Sequence, residues 1–570
     1  MYYIALATDY DGTLATHGKV SAETLAALER FKESGRKLIL VTGRELPDLK
    51  ECFPEFKLFD KIVAENGALI YTPASEEERV IATPPPPAFV DALKERGVDR
   101  MSVGRAIVAT WEPHQNTALD VIREQGLELE IIFNKGAVMI LQSGVNKASG
   151  LDAALDDLGF SSHNVVGVGD AQNDHALLRR CGLGVAVANA LPAVKETADL
   201  VLKAERGEGV EELIDRLLDK ESEEPLVQQQ SVMVGCDGDG EEVVLWPTDT
   251  VLIAGTSGIG KSTLATALTE RFVDKEWQFC VFDPEGDYDG LENAVVVGDG
   301  EVAPTKEQAL QLMEQSDTNV VVSTLALGLD ERPPFFTDFL PELGKLRSRS
   351  ARPHWLIVDE THHLMPKARD DTSLVLSVRF PGMIMITVHP DSVSADALKL
   401  ATAVIALGPQ GDKVVEQFCR MTGRDMPAGV KPASDEEVLF WRPDGDVSPR
   451  PIKPIKPLQS RKRHSRKYAV GALNEEGSFY FRGPGDKMNL RVQNLMIFVQ
   501  VAEGIDEETW LHHLRAGDFS TWFKKQLRDD EMSEEARAIE QDESLSPDAT
   551  RKGIIEAVRR RYTAPEAAVE

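Results

Sequence analysis

At 570 residues the chain is too long for one ordinary core, and about 150 residues per domain implies three or four domains. Hydrophobic residues make up 42% and charged residues 28%, a globular composition rather than a disordered one. The formal net charge of −31 repels polyanions, so nucleic acid would need a local basic patch.

No apolar run approaches the roughly 20 residues of a membrane span. The opening MYYIALATDYDG lacks the basic region and cleavage site of a signal peptide. Cys52, Cys181, Cys236, Cys280 and Cys419 are scattered, with no CxxC pair, which argues against a disulfide framework or a thiolate metal site. A cytoplasmic protein without membrane contact is expected.

Over residues 1–218, the apolar runs IALAT, KLILVTG, NVVGVG and LGVAVA alternate with helical segments. This pattern predicts an α/β domain with a parallel sheet between helices. IALAT runs into Asp9-Tyr10-Asp11-Gly12, and carboxylates at i and i+2 of a strand project the same way. LILV ends in Thr42-Gly43-Arg44, Lys147 opens a helix in GVNKASG, and NVVGVG delivers Asp170, followed by Asn173 and Asp174. Ligands of open α/β sheets bind beyond the C-terminal strand ends, so four elements define one site.

These residues resemble the haloacid dehalogenase (HAD) superfamily in its Cof-type, class IIB branch. DYDGTL is similar to motif I, VTGR to motif II, NKASGL to motif III and GDAQNDHALL to motif IV, and Glu65-Asn66-Gly67-Ala68 and GVAVANA also match. The resemblance implies a HAD Rossmann-like domain over 1–218 with a small α+β cap at about 72–142. It implies Asp9 as the nucleophile that forms an aspartyl-phosphate and Asp11 as general acid and base. Thr42 and Lys147 would hold the phosphoryl oxygens, and Asp9, Asp11, Asp170 and Asp174 would form the Mg²⁺ site, supported by Asn173. The expected substrate is a small phosphorylated metabolite of the phosphoglycolate or sugar-phosphate type, with His17, Arg44, Arg105 and His114 as candidates to read it.

The acidic stretch 219–230 reads as a linker. A second βα series over 231–448 contains TVLIAG, FCVFD, NVVVST, WLIVDE, MIMITV and AVIALG. Gly255-Thr256-Ser257-Gly258-Ile259-Gly260-Lys261-Ser262, then Thr263, sits between a strand and a helix, the context that the GxxxxGK[ST] phosphate loop requires. Its amides would surround the phosphates of ATP, Lys261 would reach the β/γ oxygens and Ser262 would ligate Mg²⁺. WLIV delivers Asp359 to the metal and Glu360 to the attacking water. NVVVST, between the two motifs, points to the RecA-like class with an added central strand.

FDPEGDY, with Asp283, and Thr387-Val388-His389-Pro390 resemble the HerA–FtsK group of motor-type ATPases, particularly its DUF87-like members. The resemblance implies a homo-oligomer, commonly a hexamer, with His389 sensing the γ-phosphate and an arginine supplied in trans from among Arg347, Arg349 and Arg379.

Residues 449–467 read as a proline-rich linker with one concentrated basic run, Arg461 to Lys467. Residues 468–570 read as a mainly helical interaction module. They resemble a small uncharacterised helical family through His513, Asp518, Phe519, Ser520 and Trp522. His512 and His513 diverge by about 100° on a helix, so packing is expected of them rather than metal binding.

The leading expectation is a Mg²⁺-dependent phosphatase of a small metabolite, coupled to an ATP-binding and hydrolysing domain that regulates or assembles it. The alternatives are a hexameric motor acting on nucleic acid with an accessory phosphatase, and a bifunctional kinase–phosphatase or a phosphomutase. Net charge counts against the motor and Glu360 against the kinase.

Overall fold

Strand Ala5–Thr8, buried along its whole length, lies inside an eight-stranded sheet. The computed structural model describes residues 2–367, 380–430, 433–434, 436–445, 448–458, 478–527, 530–542 and 544–562. They fall into two units, Met1–Leu458 and Gln459–Glu570.

The first sheet runs Leu200–Val201, Leu183–Ala186, Val165–Gly169, Ala5–Thr8, Lys37–Val41, Lys61–Ala64, Leu69–Thr72, Glu77–Val80. Its first six strands are parallel and its last two antiparallel. Near-continuous Val, Ile, Leu and Ala in the inner strands suit a sheet covered on both faces. Glu77–Val80 pairs with Leu69–Thr72 in this sheet, so the core extends beyond residue 72, where the cap was expected to begin. The cap is a four-stranded antiparallel sheet. Phe89, Val90 and Leu93 of helix Pro87–Glu95 and Ala118, Val121 and Ile122 of helix Gln115–Gln125 cover it.

The stretch read as a linker at 219–230 contains a helix, Lys220–Val227. Asp219 accepts the Ser222 amide as its cap, Glu223 pairs with Arg36 at 3.0 Å, and Leu226 and Val227 enter the core of the first domain. Its acidic composition hides one apolar edge.

The second sheet has eleven strands. Seven are parallel, in the order Ala403–Leu407, Thr250–Ala254, Met383–Thr387, Trp355–Val358, Phe279–Asp283, Val320–Ser323, Val295–Val297. The strand that separates the phosphate-loop strand from the Asp359 strand is thus Met383–Thr387, whereas NVVVST lies beyond Phe279–Asp283. Antiparallel strands Val438–Trp441, Arg450–Pro454, Val232–Cys236 and Glu242–Leu245 extend one side. Arg450–Pro454 places sheet structure where the proline-rich linker was expected to begin.

In the second unit, hairpin Phe479–Phe481/Leu490–Val492 precedes helices Leu495–Gly504, Glu507–Ala516, Asp518–Lys525, Asp530–Gln541 and Pro547–Tyr562. Phe479, Phe498, Trp510, Phe519 and Trp522 form its core. His513 is enclosed there: Nδ1 lies 2.7 Å from Asp518 Oδ2 and Nε2 accepts the Arg482 amide at 3.0 Å. Both ring nitrogens are taken, as packing requires and a metal ligand would not allow. The basic run 461–467 lies outside the described residues.

Candidate active sites

Asp9 and Asp170 follow the neighbouring strands Ala5–Thr8 and Val165–Gly169. Lys147, the first residue of helix Lys147–Leu158, is fully buried between carboxylates, with Nζ 2.5 Å from Asp9 Oδ1 and 2.6 Å from Asp174 Oδ1. The other Asp174 oxygen accepts the amides of Asp170 and Ala171 at 2.9 and 2.8 Å. Asp174 therefore fixes both the lysine and the loop that carries Asp170. Burial, reinforced by Asp174 and Asp170, outweighs Lys147 and pushes the Asp9 carboxyl up to about 7. Burial opposes the Lys147 charge, yet Asp174 and Asp9 overcome it and hold the ammonium above its ordinary range.

Asp11 turns its carboxylate to Arg44, which grips it through Nε–Oδ2 at 2.5 Å and Nη2–Oδ1 at 2.8 Å and also reaches Asp48 at 2.6 Å. Thr42 is buried, and its hydroxyl accepts the Arg44 amide at 3.1 Å. Asn173 donates to Asn66 Oδ1 at 2.9 Å. His17 is exposed, Arg105 pairs with Glu78, and His114 pairs with Asp99 on the cap.

Two contacts between cap and core were not foreseen from the sequence. Glu65, fully buried, accepts the amides of Arg105 and Ala106, both at 2.8 Å, and so ties the cap to the core. Lys135, on the cap, places Nζ 2.8 Å from the Asp11 carbonyl oxygen and 2.8 Å from Asp170 Oδ2. Asp9, Asp170 and Asp174 offer oxygens within 4.8 Å of one another. With an ammonium already standing on two oxygens here, the donor set fits a hard divalent cation.

In the second sheet, Gly260, at φ 104°, leads into helix Lys261–Asp274. Lys261 Nζ lies 3.2 Å from the Thr256 carbonyl, and Ser262 donates to Asp287 Oδ2 at 3.2 Å. Asp287 is therefore the FDPEGDY residue that reaches the loop. Asp283, in contrast, accepts the amides of Glu285, Gly286, Asp287 and Tyr288 and builds the turn. Burial, then Glu360, Asp283 and Asp287, push the Asp359 carboxyl well up, which suits a site built to take a cation.

Glu360 sits at φ 38°. His362 Nδ1 lies 3.3 Å from Glu360 Oε2 and 3.1 Å from Thr387 Oγ1, and the His389 ring is 5.9 Å from that of His362. The fold thus brings Glu360, His362, Thr387 and His389 together. Among the candidate arginines, Arg347 donates to Pro381 O at 2.6 Å and lies over Phe380, a structural placement. Arg349 is exposed, 3.6 Å from Glu314, and Arg379 lies outside the described residues.

The sheets meet through a buried polar seam. Arg352, fully buried, donates to Gln278 Oε1 at 3.0 Å, to the carbonyls of Glu314 and Gln315 at 3.1 and 3.0 Å, and to Gly159 O of the first domain at 2.6 Å.

A capped α/β hydrolase site and a P-loop nucleotide site, carried on separate sheets of one chain, define a two-domain enzyme class. Residues 6–104 and 129–214 match the family model for haloacid dehalogenase-like hydrolases, and residues 247–360 match that of the helicase HerA central domain. The chain is 32% identical to a phosphoglycolate phosphatase 2 of Saccharolobus solfataricus over 38% of its own length and 92% of the relative's. It is 29% identical to a phosphoglycolate phosphatase of Methanothermobacter thermautotrophicus over 38% and 98%. A solved haloacid dehalogenase-like hydrolase from Bacteroides thetaiotaomicron aligns with 38% of the chain and 99% of its own at 22% identity, with a TM-score of 0.33. Through its N-terminal domain the chain belongs to the haloacid dehalogenase-like hydrolase family, and it joins that domain to a HerA-type P-loop domain.

Proposed function

We propose that the chain is a phosphomonoesterase working through an aspartyl-phosphate on Asp9, joined to a domain that hydrolyses ATP and regulates or assembles it. One observation carries this reading: the buried Lys147 ammonium lies between Asp9 and Asp174, with Asp170 just past the end of the adjoining strand. Asp9 attacks the ester phosphorus in line, and the leaving alkoxide takes a proton from Asp11. Asp11 then takes a proton from the water that attacks the aspartyl-phosphate, releasing inorganic phosphate and restoring Asp9. Lys147 offsets the charge on the phosphoryl oxygens, and Thr42 supplies a hydroxyl to them. Arg44 pairs with the Asp11 carboxyl group, and its grip must loosen as substrate enters so that Asp11 takes from solvent the proton it gives to the leaving alkoxide. Asp9, Asp170 and the Asp11 carbonyl would hold Mg²⁺, with Asp174 behind them. When bound, the ion supplies further charge stabilisation.

Phosphoglycolate, named for the two archaeal relatives, is the substrate type this reading favours. In the second domain, the loop 255–262 with Thr263 would bind ATP, Ser262 and Asp359 its Mg²⁺, and Glu360 would orient the attacking water with His389 near the γ-phosphate. The match to a helicase central domain supports a second reading, a ring-forming motor on nucleic acid.

Phosphate release from a panel of phosphorylated metabolites and nucleic-acid ends, with and without ATP, tests both. Activity on a small monoester lost in Asp9→Asn, and modulated by ATP only when Lys261 is intact, supports the regulated phosphatase. No small-molecule turnover, with ATP hydrolysis rising on added DNA or RNA, replaces it with the motor.

A further inference from the structure

Lys135 and Gly136 form the two-residue turn between strands Leu129–Asn134 and Ala137–Gln142, with φ of 49° and 86°. Turns of this kind favour Asn, Asp or Gly at both positions. Lysine is not among the residues such a turn favours, although it adopts the left-handed conformation here. Its side chain extends to the phosphatase centre, where Nζ contacts the Asp11 carbonyl and Asp170 Oδ2. Gly12 leaves it room, because a Cβ there would lie 2.6 Å from Nζ.

The other cations at the cleft have partners of their own: Lys147 holds Asp9 and Asp174, and Arg44 holds Asp11 and Asp48. Lys135 alone among these stands on two oxygens that the proposed divalent cation would claim. Two cations repel at such a range, so a divalent cation on these oxygens would displace the ammonium, which its hairpin would keep near the cleft. In the phosphatase reading the phosphoryl group would lie against Asp9 and Lys147 on the core, which would leave the remainder of the substrate towards the cap hairpin that carries Lys135. An anionic group on that remainder is the partner the displaced ammonium lacks.

We propose that Lys135 is the specificity-determining residue of the phosphatase site. Its ammonium contacts two oxygens suited to the divalent cation, and with the cation and substrate bound it would pair instead with a carboxylate on the leaving-group side of the substrate. This assignment rests on the phosphatase reading above.

The test uses the full chain as wild type, Lys135→Met and Lys135→Arg. In calorimetry without substrate, the component of Mn²⁺ binding that Asp170→Asn removes should tighten about tenfold in Lys135→Met, since a competing charge-assisted contact is gone. Under saturating Mg²⁺, kcat/KM is measured for phosphoglycolate and for 2-hydroxyethyl phosphate, which carries a hydroxymethyl group in place of the carboxylate. The ratio of the two should fall about tenfold or more in Lys135→Met and stay close to the wild-type ratio in Lys135→Arg. An unchanged ratio, or unchanged Mn²⁺ affinity, in Lys135→Met overturns the assignment while leaving the phosphatase reading intact. A wild-type chain that releases phosphate from no monoester overturns both.

Discussion

His354 donates its Nε2–H to Asn164 Oδ1 across 3.0 Å, with both residues buried. Nδ1 accepts the Gln278 amide at 2.9 Å, which fixes the ring as the neutral Nε2 tautomer. Asn164 immediately precedes the strand that leads to Asp170, and His354 the strand that leads to Asp359. The acidic ends of both sites therefore belong to strands that begin at one hydrogen bond. Asn164→Ala leaves a buried N–H unpaired and should cost about 1–3 kcal/mol, read as a lowered denaturation midpoint.

That histidine also sets a pH dependence. Burial, then the nearby His163, Arg352 and Arg347, hold its pKa well below the ordinary 6.5. The unfolded chain takes up the proton near 6.5 while the fold does not, so the contribution is present above that pH and lost as pH falls below it. Each such histidine steepens the loss by up to about 1.4 kcal/mol per pH unit. Urea midpoints followed downwards from pH 7 should fall, and His354→Gln should show a shallower slope.

Lys147→Met should abolish phosphate release and cost about 3–5 kcal/mol, because Asp9 and Asp174 are left buried without their counter-charge. Asp9→Asn should also abolish release but keep a near-normal melting temperature, since one charge leaves and the lysine retains Asp174. Thermal melts beside the phosphate assay separate the two.

Glu65 is the strap between core and cap. Glu65→Ala strips the acceptors from the Arg105 and Ala106 amides and should cost about 2 kcal/mol or more. Hydrogen exchange at these two amides should accelerate, and KM should rise because the cap loses its seat. Unaltered exchange there would show that the cap is held by other contacts.

What the sequence disclosed follows the range of the interactions. Asp9, Lys147, Asp170 and Lys261 were legible because each stands at a strand end or helix start, in a short motif whose chemistry demands that spacing. Glu65 was visible only as part of a matching stretch, since its partners lie 40 and 41 residues away. Lys135 gave no sign at all, because its partners are 124 and 35 residues distant and its own turn would suit a small residue. His362 was missed for the same reason, its link to Thr387 being made by a neighbouring strand. In FDPEGDY the first aspartate drew notice, yet its oxygens serve the turn and Asp287 faces Ser262. Helix Lys220–Val227 was hidden by its carboxylates, of which Glu221 and Glu224 face outward while Glu223 pairs with Arg36.

Strand Val232–Cys236, which opens the second domain, lies hydrogen-bonded beside Arg450–Pro454, which closes it. The polypeptide thus enters and leaves through adjacent strands of one sheet. A fold whose two chain ends pair as neighbouring strands can sit inside a longer chain with its entry and exit side by side. The neighbouring ends let the P-loop sheet close on itself while the chain runs on to the helical unit.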